Sequence, residues 1–331
     1  MMTKLGISSN PYDKTFQGVD IPKQVPSPEL KPYQDMEPDK ILLFGHGAWD
    51  VTSFLPDEMV MAYREPRSLL HGLPVPPGPE IRDQPKTLSQ LAHKWDELGL
   101  LHLHQQPIHP DGLVRIFGAM KDLKIHRQIG DRRGQNAREA AVSGPSKNLP
   151  SGPDFVELHV NPKTHRLSIC ITDRKGFYHQ IRTSEARAVS NTIGPAVPKS
   201  LLEDTKAYSA FLMRSAHRRR TSDRYGDDLG HDVAHELVGP PHDSLWVSFA
   251  SILQGDHCGV ELATAAHTQL LRQKGLLSDE SNMLANRPLR SEHLAEGLVI
   301  DDYFSVSVEP IDRTDKPAAV QNYEKASDIR I

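Results

Sequence analysis

Three aspartates have the type and spacing to do chemistry. Asp173 follows the apolar run 167–172, and Asp301 and Asp302 interrupt the apolar stretch 298–308. Each is expected at the end of a strand. Carboxylates brought together from separate strands can hold hard divalent cations. Two magnesium ions about 4 Å apart stabilise the attacking 3′ oxygen and the leaving pyrophosphate of nucleotidyl transfer. A sheet holds aspartates at such a separation more rigidly than a loop does. A strand-end Asp also serves simply to cap a turn or the next helix, so the neighbouring residues must decide.

The segment from Asp173 reads Asp173-Arg174-Lys175-Gly176-Phe177-Tyr178-His179-Gln180-Ile181. It resembles the first palm motif of retrotransposon and retroviral reverse transcriptases, an Asp followed by an aromatic and often by His-Gln-Ile. Val299-Ile300-Asp301-Asp302 is similar to that family's paired-Asp hairpin, with Val299 in place of the usual leading Tyr. Upstream, Lys121, Arg127, Asp131, Arg133 and Asn136 resemble the fingers hairpin at matching spacing. Leu253-Gln254-Gly255 with a helix after it resembles the substrate-binding turn, although Val260 stands near the place of the family's usual Pro. The elements keep the family's order over 111–310, near two thirds of the chain.

The resemblance implies an α+β chain with the fingers and palm of a right-hand polymerase. The palm would be an antiparallel sheet packed on helices, and the thumb would be missing or incomplete. The implied activity is that of an RNA-directed DNA polymerase core of a retroelement. Asp173 and Asp301 would hold two Mg2+ ions, with Asp302 assisting one of them. Tyr178 would be the aromatic gate that collides with a 2′-OH, and Phe177 would take that place if the register shifts by one. Lys121 and Arg127 would close on the triphosphate. Gln254 would hydrogen-bond the nucleotide sugar or the fingers arginine, and Gly255 would let the backbone approach. Arg132, Arg133 and Arg138 would guide the template strand through its phosphates. Implied partners are an RNA or DNA template with its primer, deoxynucleoside triphosphates and other parts of a retroelement polyprotein. An inactive or truncated remnant of such a polymerase would carry the same motifs. Ordinary structural roles for Lys121, Tyr178, Gly255 and the arginines stay open at this point.

The elements that must position these residues are legible from periodicity. Strands are expected at 41–44, 113–117, 126–129, 155–160 and 167–172, and a strand–turn–strand across Asp301-Asp302. Leu167, Ile169 and Ile171 alternate as the apolar side of a half-buried strand. Helices are expected at 88–101, with Thr87 as N-cap, and at 177–190, 201–216 and 260–271. The organisation predicted is a Pro-rich extended or disordered tail over 1–38, a region without assigned role over 39–110, and fingers and palm over 111–331. An insertion is expected at about 196–244.

A net charge of −4 argues against coating nucleic acid through bulk positive charge, and leaves room for a local basic groove. Two cysteines, Cys170 and Cys258, argue against a disulfide framework and exclude a Cys-based zinc site. With no apolar leader or spanning segment, the expectation is an intracellular protein of cytoplasm or nucleus without a membrane partner. Two other motifs compete. Tyr225-Gly226-Asp227-Asp228 looks like the paired-Asp motif of RNA-dependent RNA polymerases, but its polar flanks suit a surface turn. His231-Asp232-Val233-Ala234-His235 is a variant of a zinc-protease helix motif and would support a His-based metal-dependent hydrolase. In it, Asp232 replaces the usual Glu base, and no third ligand is obvious.

Overall fold

The computed structural model describes residues 33–72, 76–222, 237–291 and 293–329. In chain order, β1 (Tyr33–Gln34), α1 (Asp57–Arg64), α2 (Pro85–Glu97) and β2 (Leu101–His104) come first. The hairpin β3 (Arg115–Met120) and β4 (His126–Asp131) leads to α3 (Arg133–Arg138), then β5 (His165–Asp173) and the short helices α4 (Phe177–Gln180) and α5 (Glu185–Ser190). After these come β6 (Thr192–Pro198), α6 (Lys206–Ser222), β7 (Ser244–Phe249) and α7 (Gly259–Arg272). The hairpin β8 (Leu294–Val299) and β9 (Asp302–Pro310) precedes α8 (Ala318–Ser327). The strands pair antiparallel into three sheets, β1-β3-β4, β2-β7-β6 and β5-β9-β8. The chain is therefore mixed α and β, with antiparallel sheets packed on helices, as the expected α+β class requires.

Helix α2 shows how the sequence builds the first core. Leu88, Leu91, Ala92 and Trp95 recur three and four residues apart, so one stripe is apolar, and all four are buried. The helix starts before the expected N-cap Thr87, because Pro85 is pre-organised for the first helical turn. Trp95 donates its ring N–H to the Gln128 side chain at 2.8 Å, which ties α2 to β4. The stripe packs with Leu103 of β2, Ile116 of β3, Val197 of β6 and Val247 of β7. The 39–110 region thus shares one core with the β3–β4 hairpin.

Several expectations change. The tail's last residues are ordered by pairing: β1 pairs with β3, and Met36 is buried. Over 41–44 only Ile41 makes a bridge, to His126. The strand expected at 155–160 is a tight helical turn, Gly152–Glu157, because Ser151 and Asp154 exchange capping bonds and Pro153 favours a first helical turn. The start of the expected insertion belongs to the core: β6 runs to Pro198, and Ala207 and Phe211 of α6 are buried in the first cluster.

The β5-β9-β8 sheet has two unlike faces. Helix α8 lies on the face carrying Ser307, whose hydroxyl accepts from Ala319 N–H at 3.1 Å. On that side Tyr303 and Leu298 pack with Leu270 and Leu271 of α7 and with Ala326. On the opposite face, Phe304 and Val306 are covered by Met283 and Leu158. That cover does not reach the edge strand β5, where Leu167, Ile169 and Ile171 are 43, 57 and 61 % exposed. Their alternation is real, but it points to solvent, because the helix packs against the small side chains of the other face. Among the described residues, no helix is long and apolar enough to cross a membrane.

Candidate active site

The register of β5 against β9 sets Asp173 directly opposite Asp302, so the two side chains share one face. Val299 pairs with Asp302, leaving Ile300 and Asp301 as the two-residue loop of the β8–β9 hairpin. Ile300 has φ +62°, where a glycine ordinarily stands in such a loop and a β-branched residue is strained. Asp301 therefore projects from a tight turn beside the Asp173–Asp302 pair.

The three carboxylates repel one another. Burial, and then the charges of Asp302 and Asp173, raise the Asp301 pKa above the usual range, with Arg127 acting in the opposite sense. Burial and Asp173 raise Asp302 likewise. Asp301 is half-buried while Asp173 and Asp302 are exposed, and like charges set side by side in this way are relieved by a divalent cation. The donor set is all oxygen, which a hard divalent cation prefers, but the three carboxylates do not each bring an oxygen within 4.8 Å of the others.

A cleft of about 650 Å³ opens over these groups. It is lined by Asp173, Asp301 and Asp302 together with Lys121, Arg127, Tyr178 and Gln254. The sequence-predicted metal ligands and most of the predicted nucleotide contacts thus meet in one place. Lys121 and Arg127 reach it from opposite ends of the β3–β4 hairpin tip, both exposed. Lys175, whose ammonium sits 4.0 Å from the centre of the Phe44 ring, adds a cation to the wall.

Tyr178 is placed by α4. Gly176 begins that helix at φ +62°, pressed against Phe44, where a side chain would collide. Phe177 then points into the core, buried against Trp49 and His267. Tyr178 is half-buried at the cleft, so it, and not the buried Phe177, is the aromatic exposed there. Burial, with Asp301 and Asp256 nearby, pushes its hydroxyl up to about 12, so the ring is neutral at physiological pH. The Ser251 hydroxyl lies 2.5 Å from the Tyr178 carbonyl oxygen and secures the backbone.

Gln254 reaches the cleft from a turn clamped to the base of the β3–β4 hairpin. Gly130 N–H donates to the Gln254 carbonyl at 2.7 Å, and the Asn136 side chain donates to the Gly255 carbonyl at 2.8 Å. Gly255 has φ +115°, and a Cβ there would drive into the Gly130 carbonyl oxygen. The close approach that Gly255 permits is therefore to Gly130, and Gly255 does not line the cleft.

The three arginines assigned to a template strand are elsewhere. Arg132 is fully buried, its guanidinium 3.2 Å from Glu139 and 3.3 Å from Asp256. Asp256 also pairs with the buried Arg187. Burial alone would raise Asp256, but Arg132 and Arg187 outweigh it and hold the carboxyl at about 2. Buried charge of this kind must be paired, and an arginine flanked by polar sequence gave no sign of it. Arg133 is exposed and bound through two nitrogens to Asp131, at 2.8 and 2.7 Å. Arg138 is half-buried at the end of α3, where its carbonyl accepts from His71 N–H at 3.0 Å. None of the three lines the cleft.

Among the described residues, the side chains that do bring three ligand-capable atoms within 4.8 Å of one another are Glu139, His257 and Cys258. Glu139 is already engaged by Arg132 and by the Gln135 amide at 2.6 Å. Burial raises the Cys258 thiol away from the thiolate that binds metals. With two guanidiniums alongside, this cluster is an ion-pair core that would repel a cation. The paired Asp227-Asp228 and the His231 and His235 of the competing motifs lie outside the described residues.

One residue near the carboxylates escaped the sequence reading. His267 stands in the apolar stripe of α7 among Leu262, Ala263, Ala266 and Leu270. A polar side chain in such a stripe must find partners when buried, and that was the available signal. Compared with known proteins, the chain matches no family model and no curated protein.

Proposed function

We propose that this chain is the fingers and palm of an RNA-directed DNA polymerase of the reverse transcriptase type. The carrying observation is the meeting of Asp173, Asp301 and Asp302 with Lys121, Arg127, Tyr178 and Gln254 around one cleft. In this reading the β5-β9-β8 sheet, backed by α7 and α8, is the palm. The β3–β4 hairpin with β1 and α3 is the fingers.

Asp173 and Asp301 would hold two magnesium ions, with Asp302 assisting one of them. When bound, the ions neutralise charge at the attacking 3′ oxygen and the leaving pyrophosphate. Arg127 and Lys121 grip the triphosphate by charge-assisted hydrogen bonds that strengthen as phosphate charge develops. Tyr178 presents its ring where a 2′-OH would fall, which selects deoxynucleotides. Gln254 orients the sugar from a turn that Gly130 and Asn136 keep rigid.

The test is extension of an oligo-dT primer on poly-rA by the purified chain with dTTP and magnesium. Extension is expected, with a loss of at least about 100-fold in Asp301→Asn. Activity that survives this substitution undiminished refutes the reading. So does a folded wild-type chain that incorporates nothing, which would point to a remnant of such a polymerase.

A further inference from the structure

His267 is fully buried and joins the two segments that carry the aspartates. Its Nε2 lies 2.7 Å from the Nε of Arg174, the residue after Asp173. Its Nδ1 lies 2.9 Å from the carbonyl oxygen of Ile300, the residue before Asp301. An arginine Nε always carries its hydrogen, so Nε2 of His267 is the acceptor. Nδ1 is then protonated and donates to Ile300. One neutral tautomer satisfies both contacts, and Phe177 holds the ring with its centroid 4.8 Å away.

The contacts fall where the backbone needs them. Ile300 is the left-handed residue of the hairpin loop, and its carbonyl is tied by this one ring. Arg174 also donates to the carbonyl oxygens of Ala326, at 3.4 Å, and Ile329, at 3.2 Å, at the end of α8. The helix end, the residue beside Asp173 and the loop beside Asp301 are thereby connected through one imidazole.

We infer that His267 is a positioning residue that, with Arg174, sets the separation of Asp173 and Asp301 for cation binding. The inference rests on the reading of those aspartates given above. His267 does not reach the cleft and does not touch the nucleotide.

The experiment is Mn2+ titration of the full chain followed by electron paramagnetic resonance, which reads cation binding without turnover. Wild type is compared with His267→Leu, Arg174→Gln, the double variant and Asp301→Asn. His267→Leu is expected to weaken Mn2+ binding at least about tenfold, as loss of an orienting partner does at metal sites. Arg174→Gln should do the same, and the double variant should be no weaker than the weaker single, since both act through one connection. In primer extension, half-saturating magnesium should rise by a similar factor with KM for dTTP unchanged. A merely structural histidine would lower the melting temperature of the variant and leave Mn2+ affinity at the wild-type value, and that result overturns the inference. Should His267→Leu fail to fold, Arg174→Gln, at a partly exposed side chain, decides by the same two outcomes. If Asp301→Asn binds Mn2+ as wild type does, the site reading itself fails, and the role of His267 falls with it.

Discussion

The proposed gate is a matter of one ring. Tyr178 is neutral, with its hydroxyl pushed up to about 12, and Phe177 beside it is committed to the core. A gate that works by collision with a 2′-OH acts through the volume of the ring, so the proposed selectivity comes from the ring and not from the hydroxyl. Tyr178→Ala is expected to lower the preference for dTTP over UTP by at least about tenfold, or 1.4 kcal/mol. Tyr178→Phe should keep the preference, because it keeps the ring. Single-nucleotide incorporation with each triphosphate measures both, and an unchanged ratio in Tyr178→Ala would remove the gating role.

At the scale of elements, the edge strand β5 decides how its apolar residues count. Leu167, Ile169 and Ile171 alternate in the sequence as a buried face would, yet they stand in solvent. Ile169→Ser should therefore cost less than about 1 kcal/mol, as surface changes do. Leu298→Ala, two strands away under α7, should cost about 2–5 kcal/mol. Urea denaturation of the two variants compares them directly. A loss of several kcal/mol in Ile169→Ser would mean that another surface covers this face in solution.

Across the whole molecule, the buried pairs of Arg132, Glu139, Asp256 and Arg187 link α3, α5 and the turn that carries Gln254. Asp256 is held at about 2 in the folded chain, against roughly 3.9 when unfolded. Between those values the unfolded chain binds more protons, so stability rises with pH across that interval. The contribution is fully present above about pH 4 and is lost as pH falls towards about 2. Asp301, whose folded pKa is raised, has the opposite sign: without a cation it favours the folded chain less as pH rises through its own range. The urea midpoint is thus expected to drop between pH 4 and pH 2. Asp256→Asn should flatten that drop while lowering stability at neutral pH.

Much of the site was legible because its parts are local. The 173–181 motif is marked by its resemblance to a known family, whereas the paired aspartates between apolar strands, the β3–β4 hairpin and the stripes of α2 and α7 follow from side-chain period and turn chemistry. Those interactions run between near neighbours, and the sequence states them. Packing between distant segments decided the rest. Arg132 reads as a surface cation until Glu139 and Asp256 close around it. Gly255 reads as a substrate contact until Gly130 lies against it. The 39–110 region has no motif, yet Trp95 and Leu103 complete the core under the β3–β4 hairpin. Burial, and the partner of a buried polar group, depend on what arrives from elsewhere in the chain. His267, poised between Arg174 and Ile300, is for that reason a property of the folded molecule alone.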